Sequence, residues 1–276
     1  MKKYELIDCN IPGMKQVKYS KEFSERMGIP ELGGFIEKES NLSQYDNAWI
    51  SGNAKVSGNA QVSDNAVVSD YARISGYAVV SGNAKVSGNA QVSGNAVVSD
   101  YARISDYAVV LGGARILGDA QVSDNAVVYG NAQVYGSAKV YGNAQVYDNA
   151  RISGDAHVSG KAHVFGEARI YGDASVTVNA RVSGSAKVYG DAMVSGEAQV
   201  SGKAQVSSGS HQSLVINVIL PQFSITDLGD HLQIGCQLKT KKEWKKITRE
   251  EAKKLGLKEE NFALFKNAVN FLCQKR

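Results

Sequence analysis

Proline is nearly absent from this chain. Its 276 residues hold three, Pro12, Pro30 and Pro221, and none lies between residues 48 and 206. A stretch this long without proline keeps every backbone N–H able to donate, as an unbroken strand ladder requires. Cysteine is as scarce: Cys9, Cys236 and Cys273 also lie outside that stretch. An odd, unpaired count excludes a disulfide framework and fits inert, reduced thiols in a cytoplasmic protein. No apolar run reaches membrane-spanning length, since Asn217 interrupts the longest one, Leu214 to Leu220. The start, Met1-Lys2-Lys3-Tyr4-Glu5, is charged but no apolar core follows, so no signal peptide is expected. A single threonine, Thr177, occurs in residues 48–206, which excludes an ice-binding threonine array. No phosphate-binding glycine loop, nucleophile elbow or carboxylate pair stands out.

Acidic charge is short only at one end. The formal net charge is +4, with 12 basic and 12 acidic residues in 48–206 but 12 basic against 5 acidic in 239–276. A neutral middle is a poor track for a phosphate backbone. Nucleic acid is therefore excluded as a partner unless residues 239–276 bind it; solvated helix faces explain the basic run more simply.

What the chain has is a six-residue beat. Alanine recurs at every sixth position from Ala48 to Ala204, and Val or Ile follows two residues later each time, from Ile50 to Val206, for 27 hexads without exception. A unit such as Ala54-Lys55-Val56-Ser57-Gly58-Asn59 puts Ala and Val on one side of a short strand and Lys on the other. Ser-Gly-Asn then turns a corner, because Gly and Asn accept a left-handed backbone at little cost. Three such units close an 18-residue triangular coil, the pattern of a hexapeptide solenoid. The fold expected is an all-β parallel β-helix of about nine coils over residues 48–206, roughly 43 Å long at a strand spacing of about 4.8 Å.

This hexad resembles the repeat of the bacterial transferase hexapeptide-repeat superfamily, which implies that the β-helix is left-handed. The segment Glu31-Leu32-Gly33-Gly34-Phe35-Ile36-Glu37-Lys38-Glu39-Ser40-Asn41-Leu42-Ser43-Gln44 is similar to the lead-in of a transferase-like subgroup whose activity is unassigned. The resemblance implies an enzyme that transfers acyl groups from acyl-CoA, with a histidine as general base and the donor lying between rods of a trimer.

Solenoid ends expose strand edges and need caps. Residues 1–47 are expected to form an N-terminal β cap. Residues 207–276 are expected to form a C-terminal cap, a small β-hairpin around Asp227-Leu228-Gly229-Asp230 followed by helices. Thr240 with Glu243, and Thr248 with Glu251, have capping-box spacing. Phe262, Phe265, Val269 and Leu272 make a helical stripe that would close the end of the rod.

The rod offers little for catalysis. It has no loop insertion, and its only histidines, His157 and His163, take outward positions on successive hexads, hence on different faces. They are the weak catalytic candidates, and no metal site is expected of them. His211 and His231 lie in no recognisable motif. Residues 51–80 and 81–110 are near-duplicates, differing at Asp64/Gly94 and Gly76/Asp106. The 30-residue shift rotates each copy onto another face, so this half reads as a spacer. Residues 18 apart form columns in the second half. Arg151, Arg169 and Lys187 form one, with Asp155, Asp173 and Asp191 at the adjoining corner. Tyr135, Tyr171 and Tyr189 stand between them, interrupted by Ser153. Leu111, Tyr129, Tyr147 and Phe165 form another. Aromatic and arginine residues favour interfaces, so the rod is expected to be a non-catalytic structural or interaction module. It would bind a protein partner or itself, without cofactor, with the acyl-CoA-dependent acyltransferase as the alternative.

Overall fold

In the computed structural model, residues 2–207, 210–211, 216–219, 224–227, 230–234 and 237–274 are described. Cys236, Pro221, Leu214 and the Leu228-Gly229 turn lie outside them.

Every hexad forms one two-residue strand, from Trp49–Ile50 to Gln205–Val206. Each strand up to Lys187–Val188 pairs in parallel with the strand 18 residues on, for example Lys55 with Arg73 and Val56 with Ile74. Three parallel sheets result. Face 1 runs through Lys55, Arg73, Gln91, Gln145, His163 and Arg181; face 2 through Gln61, Arg151, Arg169 and Lys187; face 3 through Trp49, Lys139, His157 and Met193. All hexad alanines and their Val or Ile partners are at most 1% exposed. The interior is thus a continuous stack of small and branched side chains, each Val or Ile contributing roughly 1.5–3 kcal/mol before chain entropy is counted.

The corners decide whether coils can stack. The second corner residue takes a left-handed backbone, and the turn closes with a bond such as Ala54 N–H to the Ser51 carbonyl, 3.2 Å. A Cβ at Gly82 would come within 2.7 Å of the Asp100 nitrogen in the next coil, so glycine suits the position. Asp64, Asp70, Asp100, Asp106, Asp124 and Asp148 also adopt it, with φ of 57–62°. Each carboxylate accepts the otherwise unpaired corner N–H one coil on, as from Asp100 to Gly118 at 2.9 Å and Asp148 to Gly166 at 3.1 Å. These aspartates are staples between coils.

The lead-in segment is itself part of the coil. β1 (Tyr4–Asp8), β2 (Lys15–Tyr19) and β3 (Leu32–Ile36) form an antiparallel meander, with α1 (Lys21–Met27) between β2 and β3. β3 then joins face 1 in parallel, Phe35 opposite Lys55, and Leu42 bridges to Val62 on face 2. This is a further, incomplete coil, so the solenoid has about ten turns where the hexads alone imply nine. Gly33 and Gly34 allow the approach: a Cβ on either would meet the Ile50 carbonyl at 2.6 Å or the Ala54 carbonyl at 2.7 Å. Side chains from this segment satisfy the edge of the first coils. Tyr19 Oη accepts from Ile50 N–H (2.7 Å) and donates to the Ile50 carbonyl (3.0 Å). Tyr4 Oη donates to Leu42 O and Asn41 Nδ2 to Ala60 O. The buried Lys3 ammonium caps Ala48 O at 2.8 Å beside Asp46. Burial is the main reason the Tyr4 and Tyr19 phenols lie far above their ordinary pKa and the Lys3 ammonium below its own.

At the other end, Ser210–His211 adds one more strand to face 3, beside Met193–Val194. The expected hairpin is part of a four-stranded antiparallel meander, Ile216–Ile219, Ser224–Asp227, His231–Ile234 and Gln237–Thr240. α2 (Lys241–Lys246) and α3 (Arg249–Lys254) carry the expected capping boxes at Thr240 and Thr248, and α4 (Phe262–Gln274) follows. Phe265, Val269 and Leu272 bury against Ile225, Leu232, Ile234 and Trp244. The helical stripe therefore closes a separate small core on the meander, distinct from the rod core.

Two outcomes follow. Tyr19→Phe leaves the Ile50 N–H and carbonyl without that partner and should lower stability by about 1–3 kcal/mol in urea unfolding. Among the described residues Val178 is the one valine with a left-handed backbone, φ 64°, a conformation that costs a branched residue roughly 1–2 kcal/mol. Val178→Asn should therefore raise stability by about 1 kcal/mol in the same measurement.

Candidate binding surface

On a strand, residues two apart point the same way. The aromatic corner residues therefore continue the outer surface of the strand that precedes them. Tyr129, Tyr147 and Phe165 line the edge of face 1, in successive coils. Their rings stack with centroids 4.8 and 5.0 Å apart and planes within 7° and 1°. Tyr171 and Tyr189 stack in the same way along face 2, at 5.1 Å and 5°. Coil spacing and ring-stacking distance coincide, so such a ladder forms wherever aromatics recur every 18 residues; each contact is worth roughly 0.5–1.5 kcal/mol. Tyr135 is separated from that stack by Ser153 and is 38% exposed.

Next to Tyr171 and Tyr189 lie Arg151, Arg169 and Lys187, in register from coil to coil. Three cations separated only by the strand spacing repel one another. Asp155, Asp173 and Asp191 stand exposed at the adjoining corner, and none of them is ion-paired to this column. The column is thus a basic stripe flanked by tyrosines on a rod that is neutral as a whole.

The histidines separate as their spacing implies. His157 is on face 3, edge-on to Tyr141 at 6.3 Å, and His163 is on face 1, edge-on to Tyr147 at 6.4 Å. Partial burial, and secondarily the Arg181 guanidinium in the next coil, hold the His163 imidazole below its ordinary pKa. Burial, then the neighbouring Tyr129, raises the Tyr147 phenol. Arg181 was not singled out by sequence, although the 18-residue register that places it directly after His163 is legible there. Among the described residues no three His, Cys, Asp or Glu side chains converge as a metal site.

The basic C-terminal segment spends much of its charge internally. Lys241 pairs with Asp227 at 2.9 Å, Lys266 donates to the Lys245 carbonyl, and Arg249 lies over the Phe262 ring. Lys245, Lys246, Lys253 and Lys254 occupy last helical turns, where the helix dipole favours cations. Among the described residues no helix is long and apolar enough to cross a membrane.

The repeat matches the YdcK beta solenoid repeat model at residues 60–76, 90–106, 120–136, 144–160 and 186–202. No curated protein matches the chain. Among solved structures, the UDP-N-acetylglucosamine acyltransferase of Francisella novicida is similar over 82% of this chain and 77% of its own, at 14% identity and a TM-score of 0.43.

The His163 environment is testable by NMR. Its imidazole should titrate below the usual histidine range, and Arg181→Gln should move it part of the way back. Burial, the larger cause, remains in that variant.

Proposed function

For a hexapeptide-repeat β-solenoid of the transferase-like superfamily, we propose a non-catalytic role as an interaction module. The outer surfaces of faces 1 and 2 near residues 129–189 would bind a second copy of the chain or another protein. The observation that carries this reading is the pairing of stacked tyrosines with the Arg151, Arg169 and Lys187 stripe along face 2. Tyrosine and arginine give large, rigid contact areas, and they dominate binding energy where they cluster. Hexads without any insertion support it as well, because a pocket for chemistry normally needs a loop or a second wall. The free, half-buried thiols of Cys9 and Cys273 support a reducing, cytoplasmic setting.

One observation favours the acyltransferase alternative. His163 is held toward its neutral form beside Tyr147, the state a general base requires. Acyl-CoA would then lie against face 1 between neighbouring rods of a trimer.

Sedimentation and calorimetry separate the two. Concentration-dependent assembly, weakened at least tenfold by combining Tyr171→Ser with Arg169→Glu, and no uptake of acetyl-CoA, is the expected result. Saturable acetyl-CoA binding that disappears in His163→Ala would overturn it.

A further inference from the structure

The 30-residue duplication has a structural consequence in the first half of the rod. It carries Tyr71 and Tyr77 to Tyr101 and Tyr107. Because the shift is five hexads, the copies land on other edges, and Tyr107 arrives in the corner column of Tyr71, two coils away. That column reads Asn53, Tyr71, Asn89, Tyr107, and beside it on face 1 run Lys55, Arg73 and Gln91. Together they line one groove of about 450 Å³. Ile11 lines it as well, beside the Pro12-Gly13 turn in which Met14 N–H bonds the Ile11 carbonyl at 3.1 Å.

The chemistry of the groove is specific. Tyr71 and Tyr107 are 59% and 63% exposed, so both side chains are accessible to a ligand. Asn53 and Asn89 alternate with them and offer both donors and acceptors. Lys55 and Arg73 supply the only charges in the lining. Asp70 and Asp106, the sequence neighbours of the two tyrosines, are turned onto the corner N–H groups of Gly88 and Asp124. One coil rises about 4.8 Å, close to one sugar of an extended 1,4-linked chain. Two tyrosines two coils apart are therefore spaced to stack on alternate sugars, while the amides between them meet ring hydroxyls and the two cations meet carboxylates. A polyphosphate fits less well, since it has no apolar ring face to lay on the tyrosines.

We propose that this groove binds an acidic, 1,4-linked glycan chain lying along the rod, with Tyr71 and Tyr107 as stacking platforms and Lys55 and Arg73 as carboxylate partners. The site is independent of the surface at residues 129–189.

The duplication supplies its own controls, because Tyr77 and Tyr101 are exposed tyrosines from the same motif on other edges. Calorimetry with a short β-1,4-linked oligomannuronate should show saturable binding by the full chain. Tyr71→Ala, Tyr107→Ala and Arg73→Gln should each weaken it roughly tenfold or more, while Tyr77→Ala and Tyr101→Ala leave it unchanged, with circular dichroism showing all five variants folded. Absence of binding would overturn the proposal. So would equal losses in the control variants, or tighter binding of a neutral cello-oligosaccharide or an oligothymidylate.

Discussion

The rod depends on the left-handed residue at each corner. A coil of 18 residues can lie directly on the next only if its three corners turn sharply. Glycine takes the left-handed backbone freely and puts no Cβ against the neighbouring coil. Aspartate takes it too and adds a carboxylate that caps the N–H the corner leaves open one coil away, as Asp64 does for Gly82 at 2.9 Å. The alternation of Gly and Asp at this position is therefore a pattern of interlocking, and it removes these carboxylates from any catalytic account. Val178 takes the same left-handed turn with neither glycine's freedom nor aspartate's carboxylate, and marks the one strained corner of this kind.

An open solenoid also has to hide the edges of its first layers. Here the lead-in segment does so with backbone, through β3 and the Leu42 bridge, and with side chains where that backbone does not reach. Tyr19 replaces both partners of Ile50, Tyr4 and Asn41 cap carbonyls of Leu42 and Ala60, and Lys3 caps Ala48. Because these groups are buried, each can be replaced only by a residue with the same bonding capacity. At the far end the chain adds one more strand and then builds a second small core, in which Trp244 donates to the Leu232 carbonyl at 2.7 Å.

The faces are what remain for function. A surface that repeats every coil converts any 18-residue recurrence into a ladder, so Tyr129, Tyr147 and Phe165 become a stack with no further instruction. The same geometry converts a five-hexad duplication into a rotation, which brings Tyr107 into line with Tyr71. Function in such a rod is written by which letters recur in phase with the coil.

The hexad alone determined the strand, the corner and the inward layers, because Ala and Val two apart and a turn residue after them are local instructions repeated without interruption. The columns at Arg151, Arg169 and Lys187 and at Tyr171 and Tyr189 were legible for the same reason, once three hexads were taken as one coil. The tenth turn was not. Phe35 faces Lys55 and Leu42 faces Val62 across twenty residues instead of eighteen, and no periodic reading finds a coil that is out of period. Nor did the sequence mark Lys3, Tyr4 and Tyr19 as edge caps, or Ile11 as part of a groove. Their partners lie tens of residues away, and the contacts exist only once the lead-in segment has folded back onto the rod.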